Sequence, residues 1–165
     1  MSAGKATEAS DTLHIELKNG GLVVVAMRPD LAPNTVARIK ELVRAGFYDG
    51  TPFHRVIDGF MAQGGDPTGT GTGGSGKKLK AEFSKARHER GTVSMARAQD
   101  PDSADSQFFI CFQPASWLDG QYTIWGEVVS GMEHVDAIKK GKGSGGSVSD
   151  PDRIVRASLA EDRKS

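Results

Sequence analysis

Arg55 is a charged residue set among large apolar ones, and Gln63 follows it in the next apolar segment. If residues 53–57 form a strand, Phe53, Arg55 and Ile57 lie on one face, because side chains alternate along a strand. An arginine in that position either extends its charged end outward over the apolar surface or lines a site. Paired and surface arginines are commoner than catalytic ones. The pattern alone therefore favours a structural role for Arg55, and Gln63 is open to the same two interpretations.

Residues 107–112 form a second segment in which a polar residue accompanies a run of apolar ones. Period-two alternation predicts one face with Gln107, Phe109 and Cys111, and an opposite face with Phe108, Ile110 and Phe112. Apolar residues on both faces require a strand that is covered on both sides. We interpret Phe108 and Ile110 as core residues, whereas Phe109 fits either the core or a groove beside Gln107.

Glycine-rich residues 69–78 contain fragments of two phosphate-binding motifs, but neither fragment has the context it needs. Gly69, Gly71 and Gly74 satisfy G-x-G-x-x-G, yet no alternating strand–helix pattern surrounds them. A P-loop requires serine or threonine where this chain has Lys78. The four histidines lack metal-ligand spacing, and no serine lies in a G-x-S-x-G turn. We therefore expect neither a metal nor a cofactor.

Composition and charge indicate an ordinary globular protein of one domain. The chain has 165 residues, and its 21 basic residues balance its 21 acidic ones. This balance offers no electrostatic reason to expect nucleic acid or a membrane as a partner. Cys111 is the only cysteine, so no intramolecular disulfide forms, and we expect a buried thiol. No run resembles a secretory signal, a membrane span or an oligomerisation heptad, so we expect a cytoplasmic monomer.

The hydrophobic pattern predicts a hairpin and two helices. Residues 13–17 and 22–26 read as strands on either side of Asn19-Gly20, a favoured hairpin turn. A helix is predicted from Pro33 to just before Gly46. Its apolar face comprises Val36, Ile39, Leu42 and Val43. A second, shorter helix is predicted from Met132 to near Gly141.

The remaining elements are short strands, predicted at residues 53–57, 61–63, 92–96, 107–112, 123–129 and 154–159. Many short strands with glycine-rich connections and only two helices favour an antiparallel sheet that is closed or nearly closed into a barrel. We expect one domain at residues 12–160, between a flexible N-terminal tail at 1–11 and a C-terminal tail at 161–165. The glycine-rich stretches 64–76 and 141–146 are interpreted as loops within that domain.

Four motifs resemble, in order, the signature segments of the cyclophilins, a family of peptidyl-prolyl cis–trans isomerases. They are FHRVI at 53–57, GFMAQGGD at 59–66, SQFFI at 106–110 and WLDG at 117–120. With the similarity that continues through GEV at 126–128, the resemblance covers about nine-tenths of the chain. It implies a mainly β fold, an eight-stranded antiparallel β-barrel capped by two α-helices, with the active site on its outer surface. It also implies an enzyme that accelerates X-Pro bond rotation in peptides and in unfolded or folding proteins.

The resemblance also implies roles for individual residues. Arg55 matches the catalytic arginine, and Gln63 matches its polar companion. The pocket for the substrate proline ring matches Phe60, Met61, Phe109 and Leu118. Positions that bind the peptide backbone before the proline match Ala96, Arg97 and Gln107. Trp117 matches the tryptophan that contacts cyclosporin in sensitive members, so we expect cyclosporin as a ligand.

Two positions depart from the pattern of many relatives. Tyr122 stands where many of them have a histidine shortly after the Asp-Gly pair, and Arg97 replaces an asparagine of many eukaryotic members. Tyrosine supplies an apolar wall and a hydroxyl, so we include Tyr122 in the substrate-binding set and expect altered affinity. Arg97 and the short glycine-rich loop at 69–76 resemble the bacterial subtype.

Two other functions are open to the same residues. Rotation about an X-Pro bond breaks no covalent bond, so the lack of a nucleophile or metal motif agrees with an isomerase. A proline-peptide-binding chaperone or scaffold with little catalysis would keep the same pocket. Intact Arg55, Phe60, Gln63 and Phe109 favour the isomerase, whereas Tyr122 leaves room for the binding module. A purely structural β-barrel would leave the polar residues within apolar runs unexplained.

Overall fold

The fold is one antiparallel sheet with two helices, seen in a computed structural model that describes residues 9–17, 20–143 and 145–162. The strands are β1 Thr12–Leu17, β2 Leu22–Met27, β3 Arg55–Ile57, β4 Met61–Gly64, β5 Thr92–Met95, β6 Phe108–Cys111, β7 Ile124–Ser130 and β8 Ile154–Leu159. The helices are α1 Pro33–Arg44 and α2 Met132–Asp136, and 3₁₀ turns span Ala9–Asp11, Ser116–Leu118 and Ala160–Asp162.

All eight strands belong to a single sheet in the order β3-β4-β6-β5-β7-β2-β1-β8. Every pairing is antiparallel. The sheet curls until its two edges approach, and a single bridge joins Pro52, before β3, to Arg153, before β8. The predicted eight-stranded antiparallel barrel with two helices is therefore confirmed.

Helix α1 forms where the sequence predicts it. Pro33 lies at its first position, where a missing N–H is tolerated. The predicted apolar face, Val36, Ile39, Leu42 and Val43, is buried against the sheet. The side chain of Glu82 accepts hydrogen bonds from the first N–H groups of the helix, those of Asn34 at 3.1 Å and Thr35 at 2.8 Å. No side chain next to the helix caps it. The cap of α1 therefore comes from Glu82, in a distant loop.

Helix α2 is shorter than predicted, because it ends at Asp136 rather than near Gly141. Beyond the helix, the N–H of Lys139 donates to the carboxylate of Asp152 at 2.8 Å instead of to a helical carbonyl. Ile138 still packs into the core, so its apolar side chain indicates a buried position rather than a helical one. Gly131 opens the helix with φ 86°, and a Cβ there would lie 2.1 Å from the carbonyl oxygen of Leu22.

Strand β3 is also shorter than predicted and begins at Arg55. Phe53 precedes it and lies in the main core with Val56, whereas Arg55 and Ile57 are half-exposed. The prediction that Phe53 shares a face with Arg55 is therefore wrong. The backbone N–H of Phe53 donates to the carbonyl of Asp152. Phe53 therefore lies outside the regular pairing of β3, and the alternation of side chains along that strand does not apply to it.

Strand β6 has the two apolar faces that its sequence predicts. Phe108, Ile110 and Phe112 point into the main core, whereas Phe109 and Cys111 belong to a second, smaller cluster on the other face of the sheet. The Cys111 thiol is fully buried, and burial, together with the charge of Asp119, raises its pKa to about 12. It stays protonated at neutral pH, as expected of a core thiol.

The ends of the described chain are partly tied to the domain. Ala9–Asp11, in the predicted N-terminal tail, forms a 3₁₀ turn, and Asp11 pairs with Lys40 of α1 at 3.0 Å. The rest of that predicted tail (residues 1–8), residue 19 of the predicted Asn-Gly turn and residues 163–165 lie outside the described residues. Among the described residues, no helix has the length and apolar character needed to cross a bilayer.

Candidate active site

A small cavity of about 100 Å³ opens on the outer face of β3, β4 and β6. Its lining is nine residues that the sequence singled out: Arg55, Phe60, Met61, Gln63, Ala96, Arg97, Phe109, Leu118 and Tyr122. Met61, Phe109 and Leu118 are buried in the second cluster, and Phe60, Ala96 and Tyr122 pack against it. Gln107 lies beside the cavity and lines a neighbouring one. The tertiary structure thus brings together residues up to 67 positions apart in the chain, from Arg55 to Tyr122.

Trp117 is the one predicted residue that stays outside both cavities. Its side chain is 66% exposed, and its ring rests on that of Phe60 with 5.5 Å between centroids. The indole therefore extends the apolar rim next to the cavity rather than lining its wall.

Arg55 and Gln63 are directly paired across β3 and β4. The Nη1 of Arg55 donates to Oε1 of Gln63 at 3.0 Å, and its Nε donates to the carbonyl oxygen of Gly145 at 3.0 Å. Two acceptors on different segments hold the guanidinium at the cavity rim. Gly145 was not predicted as a functional residue, because a backbone carbonyl carries no signature in the sequence.

A relay of two side-chain amides continues from Arg55 to the glycine-rich loop. Nε2 of Gln63 donates to Oε1 of Gln107 at 2.9 Å, and Nε2 of Gln107 donates to the carbonyls of Gly71 and Gly73 at 2.9 and 3.0 Å. Guanidinium groups only donate and backbone carbonyls only accept. Both ends of the relay therefore dictate the same orientation of each amide, with the oxygen of Gln63 towards Arg55.

Asp66 holds the loop that ends this relay. Its carboxylate is fully buried and accepts hydrogen bonds from the N–H and hydroxyl of Thr68 at 2.8 and 2.7 Å, and from the N–H groups of Gly71 and Gly73 at 2.6 and 3.1 Å. Burial raises its pKa, but these donors outweigh burial and lower the pKa to about 2. Asp66 belongs to the motif at 59–66, yet the sequence alone did not indicate this role.

A second polar group supports the cavity floor from beneath. The ring of His88 stacks on that of Phe109 with 5.9 Å between centroids and 13° between planes. Its Nδ1 lies 3.1 Å from Oδ1 of Asp119 and its Nε2 lies 3.0 Å from Oγ of Ser94. Burial lowers the pKa of His88, although Asp119 opposes the shift. The set has the residue types of a hydrolase triad, but Ser94 and His88 are buried, and the His88 ring supports Phe109 by stacking on it.

Arg97 and Tyr122, the two residues that depart from the pattern of many relatives, contact each other at the cavity wall. The guanidinium carbon of Arg97 lies 4.7 Å from the centre of the Tyr122 ring, and Tyr122 meets Phe109 edge to face at 5.7 Å. Arg97 also donates four hydrogen bonds to the carbonyls of Gln121, Ala98 and Gln99. Tyr122 is therefore held as an apolar wall.

Within the described part of the chain, no three His, Cys, Asp or Glu side chains are grouped to hold a metal ion. A model of the family "Cyclophilin type peptidyl-prolyl cis-trans isomerase/CLD" matches residues 12–159. The chain belongs to the cyclophilin-type peptidyl-prolyl cis–trans isomerases.

Proteins similar in sequence to this cyclophilin bear the name of the same isomerase family. A probable peptidyl-prolyl cis-trans isomerase of Brucella suis is 49% identical over 99% of this chain and 90% of its own length. Peptidyl-prolyl cis-trans isomerase B of Bacillus subtilis is 45% identical over 76% of this chain and 88% of its own length. These relatives are bacterial, as the resemblance at Arg97 and the glycine-rich loop predicted.

Solved cyclophilin structures superpose closely on this chain. A cyclophilin from Hirschia baltica has a TM-score of 0.86 at 27% identity and covers 97% of this chain and 77% of its own. A cyclophilin-type isomerase from Cryptosporidium parvum, solved in the presence of the dipeptide Ala-Pro, has a TM-score of 0.81 at 29% identity, with coverage of 90% and 98%.

Proposed function

We propose that this cyclophilin isomerises X-Pro bonds by seating the proline ring in the 100 Å³ cavity and acting on the prolyl nitrogen with Arg55. The observation that carries this assignment is the place of Arg55. Its guanidinium is fixed by Gln63 and Gly145 at the rim of a cavity that has an apolar wall. The Cryptosporidium parvum relative studied with Ala-Pro supports a proline-containing ligand for the same fold.

The cavity supplies the first contribution to catalysis. The barrier to rotation about the peptide bond is about 18–20 kcal/mol, because rotation breaks amide resonance. Phe60, Met61, Phe109 and Leu118 form an apolar wall that would remove water from a bound X-Pro amide. Loss of resonance makes the twisted amide less polar than the planar one, so an apolar cavity favours the twisted state.

Arg55 supplies the second contribution. The lone pair of the prolyl nitrogen is delocalised in the planar amide and becomes a hydrogen-bond acceptor only as the bond twists. A donor placed beside that nitrogen therefore stabilises the transition state more than the ground state, which is the condition for catalysis. Arginine suits the task because it stays charged and presents several donors in a fixed fork. Gln63 occupies one of these donors and fixes the direction of the rest.

Direct measurement of isomerisation tests this proposal. We expect the protein to accelerate cis-to-trans conversion of a proline tetrapeptide far above the uncatalysed rate, which has a time constant of tens to hundreds of seconds. Peptide binding is measured in parallel by titration. Binding without acceleration in a folded protein would instead support the proline-peptide-binding chaperone or scaffold, and Tyr122→His would then be the first variant to assay.

We also propose that cyclosporin binds here, because Trp117 and Phe60 present a continuous apolar surface beside the cavity. A ligand at a hundredfold excess over its Kd stabilises the folded state by about 2.7 kcal/mol. In a chain of this size this corresponds to a rise in Tm of about 5–10 °C. We expect Trp117→Ala to remove most of that rise and Trp117→Phe to keep part of it. No shift at high drug concentration would refute cyclosporin binding.

We further propose that the protein works as a cytoplasmic monomer that assists folding chains. Among the described residues, five large apolar side chains are exposed, and they come from five different segments: Leu22, Phe83, Trp117, Val129 and Val155. Single exposed apolar residues are ordinary on a monomer. The cytoplasmic location rests on the sequence alone.

A further inference from the structure

A second, larger cavity of about 550 Å³ adjoins the 100 Å³ cavity. We call the smaller one the proline cavity, because the proposed function seats the proline ring in it. Gln63, Ala96 and Arg97 line both, so the two form one continuous groove. The far wall consists of backbone from Gly71 to Gly76, with Lys78, Ser103 and Asp105 around it. A peptide that follows this groove with its proline in the first cavity extends into the second.

Most polar groups of the second cavity are already committed to each other. The N–H groups of Gly71 and Gly73 donate to Asp66, and their carbonyls accept from Gln107. The hydroxyl of Thr72 bonds to that of Thr70 at 2.7 Å. The hydroxyl of Ser103 donates to the carbonyl of Asp100 at 2.6 Å. These polar groups of the wall are thus hydrogen-bonded within the protein, which leaves few of them free to bind a substrate side chain.

The charges of Asp105 and Arg97 are likewise occupied. Asp105 accepts from the N–H and hydroxyl of Ser75 at 2.8 and 2.6 Å and from the N–H of Gly76 at 2.9 Å. Arg38 reaches the same Ser75 hydroxyl at 3.0 Å, so a positive charge stands behind the carboxylate. Arg97 spends its donors on three backbone carbonyls. Four of the five N–H donors of Arg97 and both carboxylate oxygens of Asp105 therefore already have partners within the protein.

Lys78 is different, because its ammonium makes no hydrogen bond or ion pair with any residue in the described part of the chain. It is exposed and lines the second cavity. With Arg97 positive and Asp105 negative, Lys78 leaves the lining with one excess positive charge. An ammonium group provides three donors, and a substrate carboxylate is the group that would satisfy them.

We propose that the second cavity selects clients with an acidic side chain two or three residues before the proline, bound by Lys78. The inference rests on the proposed function and on the expectation from the cyclophilin resemblance that Ala96, Arg97 and Gln107 bind the peptide backbone before the proline. An extended chain advances about 3.3–3.6 Å per residue, so two or three residues carry the peptide about 7–11 Å from the proline cavity into the second one. The substrate class is therefore a proline segment preceded by aspartate or glutamate.

The test uses proline peptides that are identical except for Glu, Gln or Lys at the second or third position before the proline. A further peptide carries Glu at the same distance after the proline. We expect kcat/KM for the better-placed Glu peptide to exceed that of its Gln counterpart about two- to fivefold at low salt, the range of a solvent-exposed ion pair. The ratio falls towards one in high salt because the pair is screened. The peptide with Glu after the proline shows no gain.

Charge reversal identifies the residue responsible. In Lys78→Glu the ratio of Glu to Gln peptides should fall below one and the Lys peptide should become the preferred one. Lys77→Glu is the matched control, since Lys77 is exposed and outside the cavity lining but carries the same change in net charge. We expect it to keep the wild-type preference.

Three outcomes separate this inference from the proposed function. Turnover of the Gln peptide without a Glu preference would overturn the role of Lys78 and leave the isomerase intact. An equal loss of preference in both lysine variants would assign it to net charge and would also overturn that role. If no peptide is turned over, the Kd values of the same series still decide whether Lys78 selects acidic peptides.

Discussion

Arg55→Ala is expected to lower kcat/KM for a proline tetrapeptide about 10²–10³-fold, the loss typical of removing one donor aimed at a developing acceptor. Alanine removes the guanidinium that is held at the cavity rim, together with its bonds to Gln63 and Gly145. These partners lie near solvent, so water can replace the lost donor. We therefore expect Tm to change by no more than a few degrees and peptide Kd to change far less than turnover.

The conservative variant and a remote one make this result specific. Arg55→Lys keeps the charge but lacks the planar fork that bonds to two acceptors at once, so we expect turnover between those of wild type and Arg55→Ala. Arg156→Ala, on the exposed side of β8, should behave as wild type. Near-normal turnover in a folded Arg55→Ala protein would refute the catalytic role of this residue.

Asp66→Asn is expected to lower both stability and turnover, although Asp66 does not line either cavity. The carboxylate accepts four hydrogen bonds while fully buried. Asparagine keeps one acceptor oxygen, and in either orientation its NH₂ group faces at least one backbone N–H donor. Leaving buried donors unsatisfied costs about 1–3 kcal/mol each, so we expect the free energy of unfolding to fall by about 2–4 kcal/mol.

The loss of turnover in Asp66→Asn follows from the amide relay. A displaced glycine-rich loop no longer presents the carbonyls of Gly71 and Gly73 to Gln107. The amide of Gln63 then loses its fixed orientation towards Arg55. We expect kcat, normalised to the concentration of folded protein, to fall about tenfold with a smaller change in peptide Kd. An unchanged kcat in the folded fraction would refute this positioning role.

Acid titration provides an independent check on Asp66. Its folded-state pKa of about 2 lies below the unfolded value of about 3.9. A carboxyl with a lowered folded pKa stabilises the protein fully above the unfolded pKa and loses that contribution as pH falls through the folded one. The stability gap between wild type and Asp66→Asn should therefore be constant above pH about 5 and narrow from pH about 4 to 2. Asp58→Asn replaces an exposed carboxylate. Its free energy of unfolding at neutral pH should equal that of wild type.

Patterns within single elements could be predicted from the sequence because side-chain direction repeats regularly within a strand or helix. The two faces of β6 and the apolar face of α1 follow from such repeats. The prediction for Phe53 was wrong because the regular ladder begins two residues later, at Arg55. The length of α2 was overestimated because an apolar residue beyond a helix, here Ile138, can be buried without being helical.

The sequence by itself thus determined the family, the antiparallel barrel with two helices, and the residues that line the proline cavity, since each has its own side-chain signature in a motif. Only the tertiary structure decided what holds those residues in place. Arg55 meets Gly145 across 90 positions, Gln63 meets Gln107 across 44 and His88 meets Asp119 across 31. Buried polar groups take partners from whatever segment the fold brings beside them. Local periodicity carries no record of such partners, which is why Asp66, His88 and the unpaired Lys78 emerged only from the folded chain.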